Sequence, residues 1–190
     1  MATDPLPFTT VEEYLEFDRK SEFKNEYIFG EIVAMAGGTP WHSLIATNTI
    51  FLLNKTLFGG ECRVFDSSLR VCLDRESLYS YPDVSVVCGP IEYTDERRDT
   101  VANPKLVVEV LSPSTRNYDL GDKSRMYARI PSLAELLLIE QSKCRIEHWR
   151  RQPNGHWDIE VVEDRGAVLR IDSARCELPV ADVYSGVDFK

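Results

Sequence analysis

The segment from residue 103 to residue 140 constrains the fold most. Asn103 to Leu111 is an apolar run that reads as a strand. DLGDKSRMYARI, Asp119 to Ile130, then puts Leu120, Lys123, Met126 and Tyr127 on one helical side and stops at Pro131. Ala134 to Glu140 reads as a second strand. Strand, helix and strand in that order form a crossover, which joins parallel neighbours, so the expected class is α/β with a partly parallel sheet.

The other elements fit around this unit. TTVEEYLEFDRK, Thr9 to Lys20, sets a threonine before two glutamates and spaces Val11, Tyr14, Leu15 and Phe17 as a short amphipathic helix. EYIFGEIVAMA alternates around Gly30 as two strands with a tight turn, followed by a break at Gly37-Gly38. PWHSLIATNTIFLLNKTLF is the longest helix expected, with Leu44, Ile45, Ile50 (with Phe51), Leu53 and Leu57 as its buried stripe. CRVFDSSLRVCLD reads as one or two strands and YPDVSVVCG as another. CRIEHWRRQPNGHWDIEVVEDRG is a hairpin turning at Pro153-Asn154-Gly155, and the tail adds short strands. With 190 residues, 43% of them hydrophobic, the expectation is a single domain over 1–190 with a sizeable core.

The five cysteines, at 62, 72, 88, 144 and 176, form no CxxC pair, and an odd count argues against a complete disulfide framework. They are expected as reduced thiols in the apolar packing. MATDPLPF carries neither a basic nor an apolar leader region, and no apolar stretch reaches membrane-spanning length. A soluble, cytoplasmic protein with no membrane partner is expected. The net charge of -9 weighs against strong nonspecific attachment to nucleic acid, whose affinity comes mostly from Lys and Arg at phosphates.

Within LVVEVLSPST, Leu106 to Thr115, the carboxylate of Glu109 stands in a run that otherwise reads as buried. A buried ionised carboxylate must be paired, protonated or bound to a metal. Asp83, in YPDVSVV, also begins a β-branched apolar run. If their strands are adjacent and in register, the two acids meet at one end of a sheet. At about 4 Å they repel by roughly 4 kcal/mol at an effective dielectric near ~20, which is about three pKa units on one of them. A divalent cation removes that repulsion. Oxygen ligands with open water positions suit Mg²⁺ or Mn²⁺ rather than zinc, whose Cys and His ligands are not clustered here. Lys123, on the helix leaving the Glu109 strand, is placed to orient an attacking water and steady a phosphate.

These segments carry a resemblance. YPDVSVVCG, LVVEVLSPST and DKSRMYARIPSLAELLLIE, with NEYIFGEIVAMAGGTPWHSLI before them, resemble the Uma family, a former domain of unknown function grouped with restriction endonucleases in the PD-(D/E)XK nuclease superfamily. The likeness covers nearly the whole chain. It implies a restriction-endonuclease-like mixed central sheet flanked by helices, with additional β-hairpins. It also implies Asp83 and Glu109 as metal ligands, Glu26 as a further acidic site residue, and His42 as a residue lining the site. The superfamily's lysine two residues after the glutamate is absent, because Leu111 stands there, and the resemblance makes Lys123 the relocated candidate.

Other readings of the same residues stand beside these. Asp83 could cap a strand start after Pro82, and Glu109 could pair with Lys105 or Arg70. Lys123 could be a solvated helix lysine, Glu26 an exposed acid of EFKNE, and His42 a surface residue. SPST could meet a phosphate or serve as an ordinary loop, and Arg97, Arg98, Arg116, Arg125 and Arg129 could form a basic rim. The function expected is a metal-dependent DNA nuclease whose weak DNA binding is strengthened by homodimerisation or a partner protein. A degenerate nuclease fold serving as a binding or assembly module is the competitor, and a carboxylate-pair glycosidase explains neither Lys123 nor the Pro-Asp strand.

Overall fold

Two sheets meet beside one helical segment in the computed structural model, which describes residues 8–35, 37–113 and 116–189. Helix α1, Val11–Asp18, starts at Thr10, whose hydroxyl accepts from the Glu13 amide while the Glu13 carboxylate accepts from the Thr10 amide, a reciprocal cap. Strands β1 (Asn25–Ile28) and β2 (Glu31–Ala34) pair antiparallel through Phe29 and Gly30. Both turn residues have positive φ, which a two-residue hairpin turn requires and glycine adopts freely. β1 then pairs with β5 (Leu78–Ser80), β5 with β4 (Arg70–Asp74), and β4 with β7 (Thr100–Val101), closing a five-stranded sheet.

The six-stranded sheet has the order β11-β10-β9-β8-β6-β3. Its members are β3 (Cys62–Asp66), β6 (Val84–Cys88), β8 (Leu106–Leu111), β9 (Glu135–Glu140), β10 (Ile146–Arg151) and β11 (Trp157–Val162). β8 and β9 run parallel, as the crossover requires, and the other pairs in this sheet are antiparallel. A C-terminal hairpin, β12 (Val168–Ile171) with β13 (Cys176–Pro179), and the short helix α5 (Val180–Val183) complete the fold. The fold is mixed α/β, with helices against mixed sheets. One expectation needs refining: the chain leaves the five-stranded sheet at Ser80 and enters the six-stranded one at Val84, so Asp83 sits where it changes sheets.

Alternation along β8 explains both faces of its sheet. Val108 and Val110 face α2 (Pro40–Leu57), packing with Ile45, Leu53, Val84 and Ile139. Val107 and Leu111 face the other way, into a cluster with Val71 and Leu73 of the five-stranded sheet and with Tyr127, Ile130 and Leu136. Each such buried aliphatic side chain contributes roughly 1.5–3 kcal/mol relative to an exposed one. The buried stripe of α2 keeps Ile45, Leu53 and Leu57 of the one expected and adds Thr49 and Leu52, with Leu44 and Ile50 partly buried against the same core, whereas Phe51 is exposed. The six-stranded sheet and the C-terminal hairpin together select this face, a choice that nearly uniform apolarity along the helix leaves open.

Two further corrections are local. The helix expected over Asp119 to Ile130 consists of a short turn α3 (Arg116–Tyr118), a π-helical stretch Asp119–Lys123 and α4 (Ser124–Tyr127). The Ser124 hydroxyl donates to the Leu120 and Gly121 carbonyls at 2.9 and 3.0 Å, diverting acceptors from the regular ladder next to a glycine. Cys62 and Cys88 are not reduced thiols. They face each other in the β3–β6 register and form a disulfide, while Cys72, Cys144 and Cys176 are free. Spacing along the chain conceals such a pair, because antiparallel register makes distant residues neighbours. Among the described residues no helix is long and apolar enough to cross a membrane.

Candidate active site

β6 and β8 are antiparallel neighbours with Val84 opposite Val108, so Asp83, just before β6, lies beside Glu109. The Asp83 Oδ2 atom accepts from the Val110 amide at 2.7 Å and lies 3.2 Å from His42 Nε2. His42 reaches it from the first turn of α2, where Thr39 caps the helix and Pro40 follows, a position that has no use for an amide proton. Gly38 makes room for the imidazole, since a β-carbon there would stand 2.9 Å from His42 Nδ1.

Lys123 is buried at 7% exposure, with its ammonium 2.8 Å from Glu26 Oε1 and 3.0 Å from Glu109 Oε1. Asp119, one turn earlier, has its Oδ1 4.0 Å away. The Tyr127 hydroxyl donates to Glu109 Oε1 at 2.5 Å and lies 3.0 Å from Ser80 Oγ, whose proton goes to Glu26 Oε1. Glu26, Ser80, Tyr127, Glu109 and Lys123 therefore form a closed ring of polar contacts, drawn from β1, β5, the helical segment and β8. The four residues Asp83, Glu109, Lys123 and Glu26 are brought together, and His42 joins them through Asp83. Of the alternative partners, Arg70 lies elsewhere, 3.6 Å from both Asp18 and Asp99. Ser114 and Thr115 of SPST lie outside the described residues. Of the suggested basic rim, Arg116 is paired with Glu140 and Arg125 with Asp122.

The electrostatics follow from burial. Glu109 is pushed up to about 7, first by desolvation and further by Asp83, against the pull of the Lys123 ammonium. Burial alone would lower Lys123, but the surrounding groups, Glu109 foremost, hold it well above its ordinary value. His42 is raised, chiefly by its hydrogen bond to Asp83 and despite partial burial, with smaller contributions from Glu109 and the Val110 carbonyl. The Lys123 ammonium thus stays charged among several acids, and Tyr127, its phenol pushed far up by burial and by Glu109, remains a hydrogen-bond donor.

The donor set can be tested against a divalent cation. Among the described residues no three His, Cys, Asp or Glu side chains form a ready-made metal cage. Glu109 Oε1 is taken by Lys123 and Tyr127 and Asp83 Oδ2 by Val110 and His42, whereas Glu109 Oε2 and Asp83 Oδ1 make no hydrogen bond to a described residue. Two free carboxylate oxygens suit a hard cation that keeps most of its coordination in water, so the residues fit magnesium or manganese better than a fully caged ion. Ser80 and Tyr127 were not anticipated as site residues. Tyr127 carried a readable signal, since it follows Lys123 by one helical turn, but Ser80 carried none.

The chain matches known proteins over nearly its whole length. The Uma2 family model, described as "Putative restriction endonuclease", matches residues 11–181. One uncharacterised protein of Synechocystis sp. is 36% identical, covering 97% of this chain and 96% of the relative. A second from the same organism is 34% identical over 78% of this chain and 84% of its own length. A crystal structure from Anabaena variabilis, of "a putative nuclease belonging to DUF820", shares the fold with a TM-score of 0.77 at 21% identity, covering 95% of this chain and 98% of that chain.

Proposed function

The chain belongs to the Uma2 family, and on that premise we propose that it is a metal-dependent nuclease hydrolysing phosphodiester bonds in DNA. The observation that carries the reading is the meeting of Asp83 and Glu109 on neighbouring antiparallel strands, each with one carboxylate oxygen that no described residue engages, with the Lys123 ammonium 3.0 Å from Glu109. Asp83 and Glu109, with the Val110 carbonyl, would hold a magnesium or manganese ion through their free oxygens. When bound, such an ion neutralises phosphate charge and lowers the pKa of water. Lys123 orients the attacking water and meets charge developing on the phosphate. Glu26 fixes the lysine, while Tyr127 and Ser80 hold Glu109 and Glu26 in place. His42 keeps Asp83 turned so that, among the described residues, only one of its oxygens is engaged.

A cleavage assay on plasmid and single-stranded substrates, with and without magnesium or manganese, tests the reading in wild type, Glu109→Ala and Lys123→Ala. Cleavage that needs the divalent ion and disappears in both variants supports it. Cleavage that survives Glu109→Ala overturns the mechanism. The acidic chain implies modest, salt-sensitive affinity, strengthened by dimerisation or a partner.

A second reading, a nuclease fold serving as a binding or assembly module, is favoured by one observation: Lys123 already bridges Glu26 and Glu109, so the acids are compensated without an ion. Metal titration separates the two. A rise in melting temperature with magnesium or manganese that is lost in Asp83→Asn supports the working site, and no rise supports the module.

A further inference from the structure

The end of β9 holds a cation that the proposed chemistry does not use. Glu140, the last residue of β9, stands opposite Leu111 in the parallel register with β8, and Glu109 stands opposite Leu138. Strand alternation puts Glu109, Leu111, Leu138 and Glu140 on one face, so Glu140 lies one strand across and one pleat nearer the strand ends than Glu109. From the rise per residue and the strand spacing, the two α-carbons are about 8 Å apart. Glu140 is buried, and its Oε1 accepts from Arg116 Nε at 2.5 Å. A buried carboxylate needs its cation and so fixes the guanidinium. The main chain holds the same residue from the other side, since the Arg116 amide donates to the Ser112 carbonyl, just past β8, at 2.9 Å. Pairs of arginine and carboxylate are frequently bidentate. Here only Nε meets Glu140: Nη1 and Nη2 make no hydrogen bond to a described residue, neither is sealed from solvent, and the side chain is 39% exposed.

We propose that Arg116 binds the phosphate next to the one cleaved, donating from Nη1 and Nη2 to two of its oxygens, with Glu140 as the residue that positions it. A planar fork with free donors matches a phosphate in a way that a lysine ammonium does not. The place fits as well, because the offset of Glu140 from Glu109 lets one strand set neighbouring phosphates at the metal ligands and at the arginine. The need is electrostatic. Lys123 is already held between Glu26 and Glu109, with Asp119 beside it, so the buried acids leave little positive charge for a polyanion. In a chain with a net charge of -9, a guanidinium with free donors at the site supplies what the overall charge withholds. The inference rests on the nuclease reading and adds a substrate-binding residue to it.

Binding of a fluorescein-labelled DNA duplex to the full chain, followed by anisotropy at increasing salt with calcium in place of magnesium, reads the contact apart from cleavage. Arg116→Gln keeps a donor for Glu140 but removes the charge, so binding at low salt should weaken about ten-fold. The slope of log affinity against log salt should also flatten by ~0.9, the share of one phosphate contact. Arg116→Lys keeps the charge without the fork, so its slope should match wild type while its affinity falls several-fold. A merely structural pair would lower the melting temperature of Arg116→Gln and leave the slope alone, and a folded Arg116→Gln protein with the wild-type slope overturns the proposal. Should Arg116→Gln fail to fold, wild-type affinity in Arg116→Lys overturns it, as does a wild type that binds no duplex at low salt. If the slope flattens in Arg116→Gln but wild type cleaves nothing with magnesium or manganese, the phosphate contact stands and the nuclease reading fails.

Discussion

Lys123 Nζ lies 3.0 Å from Glu109 Oε1, and the lysine comes from a π-helical turn rather than from the strand that carries the glutamate. The turn also sets Tyr127 on the same carboxylate oxygen, so one short helical segment supplies two contacts to Glu109. π-Turns of this kind recur at functional sites, because one extra residue per turn re-aims the side chains on either side.

Replacing Lys123 with methionine leaves Glu26 and Glu109 buried without their cation. Removing one partner of a buried ion pair costs about 3–5 kcal/mol. Urea unfolding at neutral pH should show a loss of that order, and cleavage should fall roughly 100-fold or more if the lysine handles the water. A variant as stable as wild type would mean that the carboxylates are not held by this ammonium.

Tyr127→Phe keeps the ring in its apolar cluster and removes only the hydroxyl shared by Glu109 and Ser80. A hydrogen bond to a charged group is worth about 1.5–3 kcal/mol, so a stability loss of about 2 kcal/mol is expected in urea. The urea slope should be unchanged, since the core surface buried is the same.

Leu111→Lys would restore a lysine two residues after the glutamate. Leu111 is 1% exposed and packs with Val71, Tyr127 and Leu136, so the new ammonium would enter apolar surroundings at a cost of about several kcal/mol. We expect a sharply lower melting temperature and no gain in cleavage. A stable, more active variant would show that position 111 opens onto the site after all.

Gly38→Ala presses a methyl group against the His42 ring, 2.9 Å from Nδ1. The ring must shift, loosening its 3.2 Å contact with Asp83. Stability should change by about 1 kcal/mol or less, whereas divalent-dependent cleavage should fall several-fold more than an equally stable surface variant. Equal rates in the two proteins would remove His42 from the working set.

Stability toward acid should depend on Asp99. Its carboxyl is held down at about 2, first by the hydrogen bond from Arg19, against partial burial and with help from Arg70. A depressed carboxyl contributes fully above its ordinary value of 3.8, and the contribution drains away as pH falls from there through about 2. The urea midpoint of wild type should therefore drop across that window, and Asp99→Asn should flatten the drop while lowering the plateau above it. An identical acid profile in both proteins would show that the Arg19 contact contributes nothing in solution.

The order of elements and the position of Glu109 were legible in the chain itself. Period-two and period-3.6 patterns identify strands and helices, and a carboxylate in a buried run shows itself by its cost. Two such acids opening or occupying apolar runs singled out Asp83 and Glu109, and the antiparallel pairing of β6 with β8 met the condition that sets them at one sheet end. Lys123 could be proposed from its place on the helix leaving the Glu109 strand and, through family likeness, as a relocated lysine, but a polar first turn such as DKSR looks equally at home in water, so its burial was not legible.

Tertiary structure decided the rest. Which stripe of α2 is buried depends on the sheet and hairpin that cover it, and the Cys62–Cys88 disulfide depends on antiparallel register. Ser80 enters the ring because the chain changes sheets just after it, and Gln141 meets Thr39 because β9 ends beside the start of α2. Sequence periodicity records how a residue relates to neighbours one turn or one pleat away. Which distant hydroxyl, amide or thiol it meets is settled when the sheets and helices pack, and that is where Glu109 finds Lys123.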